Sequence, residues 1–142
     1  MTSALILFPI FPLVFLTLLQ TAFNAQKVKK AVLNKSLDPK WLKFMPSWEA
    51  VPDEIQASRE HLKNLHQAPI IFYVYCIIAY IVSHVTLLTL LLAWTYVLFR
   101  TIYYLIRQIN QKISLRRNPF AITILLSVIL WIDLLVFLVS QV

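Results

Sequence analysis

Four side chains that are able to bind an anion lie at helical spacing in one apolar stretch of the sequence. They follow one another at intervals of four, three and four residues, which places them along one face of a helix: Tyr96, Arg100, Tyr103 and Arg107. We call these four residues the stripe. An arginine at the centre of a membrane helix costs about 2.5 to 3.5 kcal/mol, so Arg100 is expected to face the protein interior or a wet cleft. Snorkelling toward the membrane surface is the alternative, and it is the simpler explanation for Arg107 alone. Taken together, the stripe favours an anion-binding cleft.

A second polar face comes earlier in the chain. Lys63, Asn64 and Gln67 are spaced so that they line one side of a helix. Together with the stripe they offer cationic and amide donors for a small polyanion such as a peptide carboxylate. A solvated helix entry is the alternative, and it would be preferred if the stripe were absent. The sequence has no Cys/His cluster with metal-ligand spacing and no Gly-rich phosphate loop, so no metal site is predicted.

The composition indicates that a membrane protein carries these residues. The 142 residues are 60% hydrophobic and 13% charged, with a mean hydropathy of +0.75, which leaves too little polar surface to cover a soluble globule. We predict one all-α membrane domain over residues 1–142, with spans at about 4–23, 67–84, 86–106 and 120–140 and a cytoplasmic loop at 24–66. A small channel or transporter subunit is a weaker alternative, because no polar stripe crosses a whole span.

Local signals suggest where these helices begin, bend and end. Asp38-Pro39 is typical of a helix start and predicts a short helix on the membrane interface, with Trp41 and Trp48 at headgroup level; a disordered linker is the alternative. The prolines give further signals: Pro9 and Pro12 bend the first span, and Pro52 precedes a long helix that continues into the second span and is expected to bend at Pro69, at the membrane surface. Ser83-His84 forms the turn before the third span, and Asn118-Pro119 starts the fourth.

The positive charge is distributed unevenly. The net charge is +7, and most of the thirteen Lys and Arg residues lie between the first and second spans or at the connection between the third and fourth. By the positive-inside rule both basic segments, with Lys35 and Lys112, are cytoplasmic, and both termini and the Ser83-His84 turn are outside. We therefore predict contact with anionic membrane lipid and not with nucleic acid.

Two further residues in the apolar stretches call for an explanation. Asp133 is the only acid within a predicted span, and its depth matches His84 at the outer turn better than Arg100. A hydrogen bond between packed helices is the expected role, and a proton-linked role is the alternative. Cys76, the single cysteine, lies in mid-span, where packing is a better explanation than catalysis.

Part of the sequence carries a resemblance to a known family, in the run from Asn64 to Tyr73 and in the later residues Ala93-Trp94, Arg100, Asn110 and Arg116. In these residues the chain resembles the short bacterial members of the MAPEG family, the membrane-associated proteins in eicosanoid and glutathione metabolism. The similarity covers about residues 59–135. It implies a four-helix protomer, a homotrimer, and a glutathione site between subunits that opens to the cytoplasm. In a bacterium the protein would lie in the inner membrane.

The resemblance also implies roles for single residues. Arg100 and Arg116 match family arginines that would stabilise the glutathione thiolate, and Asn64 matches a family asparagine. The remaining positions differ from the family pattern: Lys63 replaces a frequent Arg, Gln67 a Glu that holds the amino group of glutathione, Tyr103 a His, and Arg107 a Tyr or His. The extra arginine favours a more anionic ligand.

Two functions follow from the resemblance. One is a glutathione transferase or peroxidase, in which the thiolate attacks a lipophilic electrophile that arrives from the bilayer. The other is a non-catalytic trimer of the same fold that binds lipid or acts as a scaffold.

Overall fold

The computed structural model describes residues 3–44, 51–109 and 113–141. Its helices are a 3-10 helix at Ser3–Leu7, α1 at Ile10–Leu33, α2 at Pro39–Phe44, α3 at Asp53–Ile81, α4 at Leu87–Ile109 and α5 at Ile113–Ser140. Within these ranges four stretches are long and apolar enough to cross a membrane: Ser3–Leu33, Asp53–Ile81, Leu87–Ile109 and Ser114–Val139. The predicted all-α fold with four spans is confirmed.

The chain divides into two compact units. The first, which we call the bundle unit, comprises Met1–Leu16 and Ala68–Val142, and the second, the basic unit, comprises Thr17–Gln67. In the bundle unit, the start of α1, the second half of α3, and α4 and α5 pack around one apolar core, which includes Leu13, Cys76, Ala93, Leu130 and Leu134. These four helical segments form the expected four-helix bundle. The prediction of a single domain over the whole chain stays a prediction.

Two helices end in the same motif without the help of glycine. After α1, Lys35 has a φ of 56°, its N–H donates to Val32, and the next N–H donates to Ala31. After α3, Ser83 has a φ of 57°, and its N–H and that of His84 donate to Tyr80 and Ala79. This is the Schellman pattern, whose left-handed residue is usually Gly. Because this sequence has no glycine, two residues with a Cβ take that conformation.

Side chains cap two of the helix starts. The Oδ1 of Asp38 accepts a hydrogen bond from the N–H of Lys40 at 2.8 Å, so α2 begins at Pro39 as predicted. At the start of α4, the N–H of Thr89 donates to the Thr86 hydroxyl at 3.1 Å, and the N–H of Thr86 donates to the Thr89 hydroxyl at 2.9 Å. This reciprocal pair is a capping box with Thr in place of the usual Glu. Thr86, the first residue of this box, lies two residues after His84, the last residue of the Schellman motif that ends α3.

The structure corrects two predicted helix limits. The helix α5 begins at Ile113 and not at Asn118-Pro119, and Pro119 lies inside it. Proline has a φ that fits a helix, and it removes one backbone hydrogen bond. Here the helix continues on both sides of Pro119, so this proline does not mark the helix start. The helix α1 continues to Leu33, beyond the predicted limit of the first span, so the first basic residues lie on a helix and not in a loop. The prediction for α3 was right, since the helix runs unbroken from Asp53 through Pro69.

The basic unit has a small core of its own. Trp41 is only 4% exposed and packs among Ala31, Leu37, Val51 and Ile55. The guanidinium carbon of Arg59 lies 4.8 Å from the centre of the Trp41 ring. The ring therefore belongs to this core and is not presented at a surface, which corrects the expected role of Trp41; Trp48 lies outside the described residues. Elsewhere in this unit, the buried Gln20 amide donates to the hydroxyl of Ser58 at 3.2 Å.

Candidate functional site

The stripe on α4 forms one face of that helix inside the bundle unit. Tyr96, Arg100 and Tyr103 are buried, and Arg107, in the last turn, is partly buried. The spacing predicted one polar face of a helix, and the anion-binding cleft that it favoured stays a prediction. Tyr96 stacks on Phe72 of α3, with the ring centres 4.2 Å apart and the planes 10° from parallel. The Tyr96 end of the stripe is thus fixed by an aromatic contact between α3 and α4.

Arg100 is the largest fully buried side chain of the described residues, with 0% exposure. Its guanidinium carbon lies 5.3 Å from the centre of the Tyr103 ring and 5.6 Å from that of Phe120 on α5. Attraction to the negative faces of two rings offsets part of the cost of removing a cation from water. Arg100 therefore faces the interior, as predicted, and does not snorkel to the surface of the unit.

Arg107 is held by the phenol that lies one turn before it. Its Nη1 donates a hydrogen bond to the Tyr103 hydroxyl at 2.9 Å. The residue lies in the last turn of α4, where the helix dipole also favours a positive charge. Tyr103 thus contacts both stripe arginines, Arg100 through its ring and Arg107 through its hydroxyl. Arg107 keeps part of its surface exposed.

Phe120 joins α5 to this cluster. Its ring centre lies 5.7 Å from that of Tyr103, and it also contacts Arg100. Arg116 lies four residues before Phe120, so both side chains share one face of α5. Arg116 is partly buried, whereas the adjacent Arg117 is exposed. Arg116 therefore lies on the same side of α5 as Phe120, and its role as a site residue stays a prediction; Asn110 and Lys112 lie outside the described residues.

The second predicted polar face belongs to the basic unit. Lys63, Asn64 and Gln67 all lie on α3, as expected, with Lys63 and Gln67 exposed and Asn64 partly buried. The Asn64 amide donates to the carbonyl oxygen of Glu60 one turn earlier, at 2.9 Å. A ligand role for these three residues stays a prediction.

A second polar contact lies at the opposite end of α4. The Nε2 of His84, in the turn before α4, pairs with the Oδ2 of Asp133 on α5 at 2.8 Å. The imidazole also stacks on Phe137, with ring centres 4.0 Å apart, so two residues one turn apart on α5 hold it. The predicted pairing of His84 with Asp133 is confirmed. Cys76 is buried and free, as expected for a packing residue.

An apolar groove of about 460 Å³ lies between α3 and α5 in the bundle unit. It is lined by side chains that include Ala68, Ile71, Val128, Trp131 and Leu135. Such a groove suits an alkyl or aryl group and offers little to a charged one. Sequence analysis missed both this groove and the part played by Phe120. The sequence did contain one signal for the role of Phe120, which is its position one turn after Arg116.

The fold and the site define a four-span helical membrane protein with a buried cation and phenol cluster at one end of its bundle. The family model described as MAPEG family matches residues 5–136, nearly the whole chain. The chain belongs to this family, and it is an integral, multi-pass membrane protein. Comparisons with curated proteins and with solved structures gave no significant match.

Proposed function

We propose that the protein binds glutathione, or a closely related anionic peptide thiol, at the end of the bundle formed by the last turn of α4 and the first turns of α5. The observation that carries the proposal is the cluster of Arg100, Tyr103 and Arg107 on α4 with Phe120 on α5. Arg116 lies one turn before Phe120 on the same side of α5. Arginine recognises carboxylates with two parallel hydrogen bonds, and partial burial strengthens such bonds. Arg107 and Arg116 are the cations of this group that retain exposed surface.

We propose in addition that the bound thiol acts as a nucleophile. A cation next to the sulfur stabilises the thiolate, which is the reactive form, and Arg116 is the residue for this role. The thiolate would attack a lipophilic electrophile, as a transferase, or reduce a lipid hydroperoxide, as a peroxidase. The apolar groove between α3 and α5 supports a lipophilic second substrate that enters from the bilayer. The complete site would form in a homotrimer.

A non-catalytic, lipid-binding or scaffold function is the second candidate. It is favoured by the complete burial of Arg100, whose contacts with Tyr103 and Phe120 stabilise the packing of α4 against α5 in the absence of any ligand. In this alternative the stripe is part of the core, and Arg107 and Arg116 interact with lipid headgroups.

Calorimetric titration of the detergent-purified protein with glutathione, followed by an assay with glutathione and an aryl halide, separates the two candidates. The first candidate predicts saturable binding and conjugation above the uncatalysed rate. Binding without turnover would leave a glutathione-binding protein that is not a transferase, and the absence of binding would favour the scaffold. Arg116→Ala should weaken binding, whereas the matched variant Arg117→Ala should not. Native mass spectrometry tests the trimer.

A further inference from the structure

We infer that Arg107, oriented by Tyr103, selects ligands that carry one more strongly acidic group than glutathione, and that Tyr103 acts as a positioning residue through its hydroxyl. This inference rests on the proposed function and names the ligand class: peptide thiols or their oxidised and conjugated forms that carry an additional sulfonate or carboxylate. Glutathione sulfonate is a defined member of this class, because it carries one more negative charge than glutathione at neutral pH.

The geometry divides the work between the two stripe arginines. Arg100 is 0% exposed, so an anion outside the bundle cannot touch it while the cluster stays intact. Arg107 is about two turns nearer the end of α4 and retains an exposed part. A guanidinium has five N–H donors. Donation of one from Nη1 to the Tyr103 hydroxyl leaves the others for further contacts. Arg107 is therefore the stripe cation that can contact a ligand.

Tyr103 lowers the entropic cost of that contact. A flexible arginine side chain loses rotamer entropy when a ligand fixes it. The 2.9 Å hydrogen bond to Tyr103 restrains Arg107 before a ligand arrives. The Tyr103 ring is in turn held by Phe120 at 5.7 Å and by Arg100 at 5.3 Å. The phenol is a fixed support, and its hydroxyl is the atom that transmits the restraint to Arg107.

Removal of that single hydroxyl tests the inference. Tyr103→Phe keeps the ring that contacts Arg100 and Phe120, and removes the hydroxyl that accepts the hydrogen bond from Arg107. The matched control is Tyr104→Phe, which removes a buried phenol hydroxyl from the next position of the same helix. Both variants are titrated with glutathione and glutathione sulfonate, and their thermal midpoints are measured.

We expect Tyr103→Phe to weaken glutathione sulfonate binding about tenfold, as for the loss of one hydrogen bond to a charged group. Tyr104→Phe should change glutathione sulfonate binding less than about twofold, because the hydrogen bond between Arg107 and Tyr103 stays in place. Arg107→Ala should lower the preference for the sulfonate over glutathione. In the Arg107→Ala background, the further change Tyr103→Phe should have almost no effect on binding, because the hydroxyl acts through the arginine. A merely structural role of Tyr103 would give the same loss in both backgrounds.

The outcomes separate this inference from the proposed function. If the wild type binds glutathione and Arg116→Ala weakens the binding, but Arg107→Ala leaves the preference for the sulfonate unchanged, the proposed function stands and this inference is wrong. Equal losses from Tyr103→Phe in both backgrounds would also overturn it. If the wild type binds neither compound, the proposed function fails, and the inference fails with it.

Discussion

The guanidinium carbon of Arg100 lies 5.3 Å from the ring centre of Tyr103, one turn along the same helix. Arg100 is 0% exposed, so a cation is buried inside the membrane bundle. An attraction of this kind is worth about 2 kcal/mol or more where water is excluded, which is of the same order as the insertion cost of an arginine. The contact therefore offsets much of the cost of burying Arg100, without adding a large surplus of stability.

From this balance we predict that Arg100→Met changes the free energy of unfolding by less than about 1 kcal/mol, because an apolar side chain of similar length removes the cost and the attraction together. Arg100→Ala should lower it by about 2 to 5 kcal/mol, since it also leaves a cavity. Unfolding of both variants in detergent measures the difference. If Arg100→Met destabilises as much as Arg100→Ala, the charge itself stabilises the bundle, and the scaffold function gains support.

The His84–Asp133 contact gives a second prediction. Asp133→Ala should lower the free energy of unfolding by about 0.6 to 1.7 kcal/mol, the range found for hydrogen bonds between membrane helices. His84→Ala should cost more, because it also removes the stacking on Phe137. In a double-mutant cycle, the effect of Asp133→Ala should largely vanish once His84 is absent. Ser140→Ala, which removes an exposed hydroxyl bonded within its own helix, is the control. Additive losses from the two substitutions would show that the 2.8 Å pair contributes nothing.

The end of α3 gives a third prediction. Ser83 has a φ of 57°, a conformation that costs an L-residue about 1 to 2 kcal/mol and glycine almost nothing. Ser83→Gly should therefore raise the thermal midpoint, with a gain in stability of about 0.4 to 1 kcal/mol after allowance for the more flexible unfolded chain. Ser83→Ala keeps the Cβ and should not stabilise. A fall in the midpoint of Ser83→Gly would mean that the serine hydroxyl contributes more than the strain costs.

The sequence predicted those features that depend on local periodicity and on pairs matched in depth. These include the four spans, the unbroken α3 through Pro69, the cap at Asp38 and the pairing of His84 with Asp133. In each case the deciding information lies within one helix, or in the scarcity of polar residues in an apolar stretch. A single acid and a single histidine at the same depth leave few other partners.

Contacts between helices were not predictable in this way where the sequence pattern marks only one of the two partners. The spacing of the stripe shows which face of α4 is polar, but it does not show that Phe120 covers Arg100. The burial of Trp41 depends in part on Ala31 and Ile55, which lie on two other helices, α1 and α3. The start of α5 was misplaced because the preference of proline for a first turn was outweighed by helix formation on both sides of Pro119.

The orientation of the protein in the membrane is a fourth prediction. The distribution of basic residues predicts that Lys35 lies on the cytoplasmic side and the exposed Ser83 on the outer side. Cysteine can be introduced at either position in a Cys76→Ala background, since the native thiol is buried. An impermeant thiol reagent applied to intact cells should label the cysteine at position 83 and not that at position 35. The reverse pattern would invert the topology and place the proposed site on the outer side.

The central claim, that the α4–α5 end of the bundle binds an anionic peptide thiol through its partly buried arginines, is tested most directly by comparing two variants that lose the same charge. Arg107→Ala/Arg116→Ala and Lys29→Ala/Lys30→Ala each remove two positive charges, the first pair from the cluster and the second from the exposed surface of α1. Loss of a cation from a partly desolvated site costs about 2 to 5 kcal/mol of binding, against tenths for a solvated one. In calorimetric titrations with glutathione and glutathione sulfonate, we predict that the arginine pair loses at least about thirtyfold in affinity and that the lysine pair stays within about twofold of the wild type. Equal losses in both variants, or a wild type that binds neither compound, would contradict the claim.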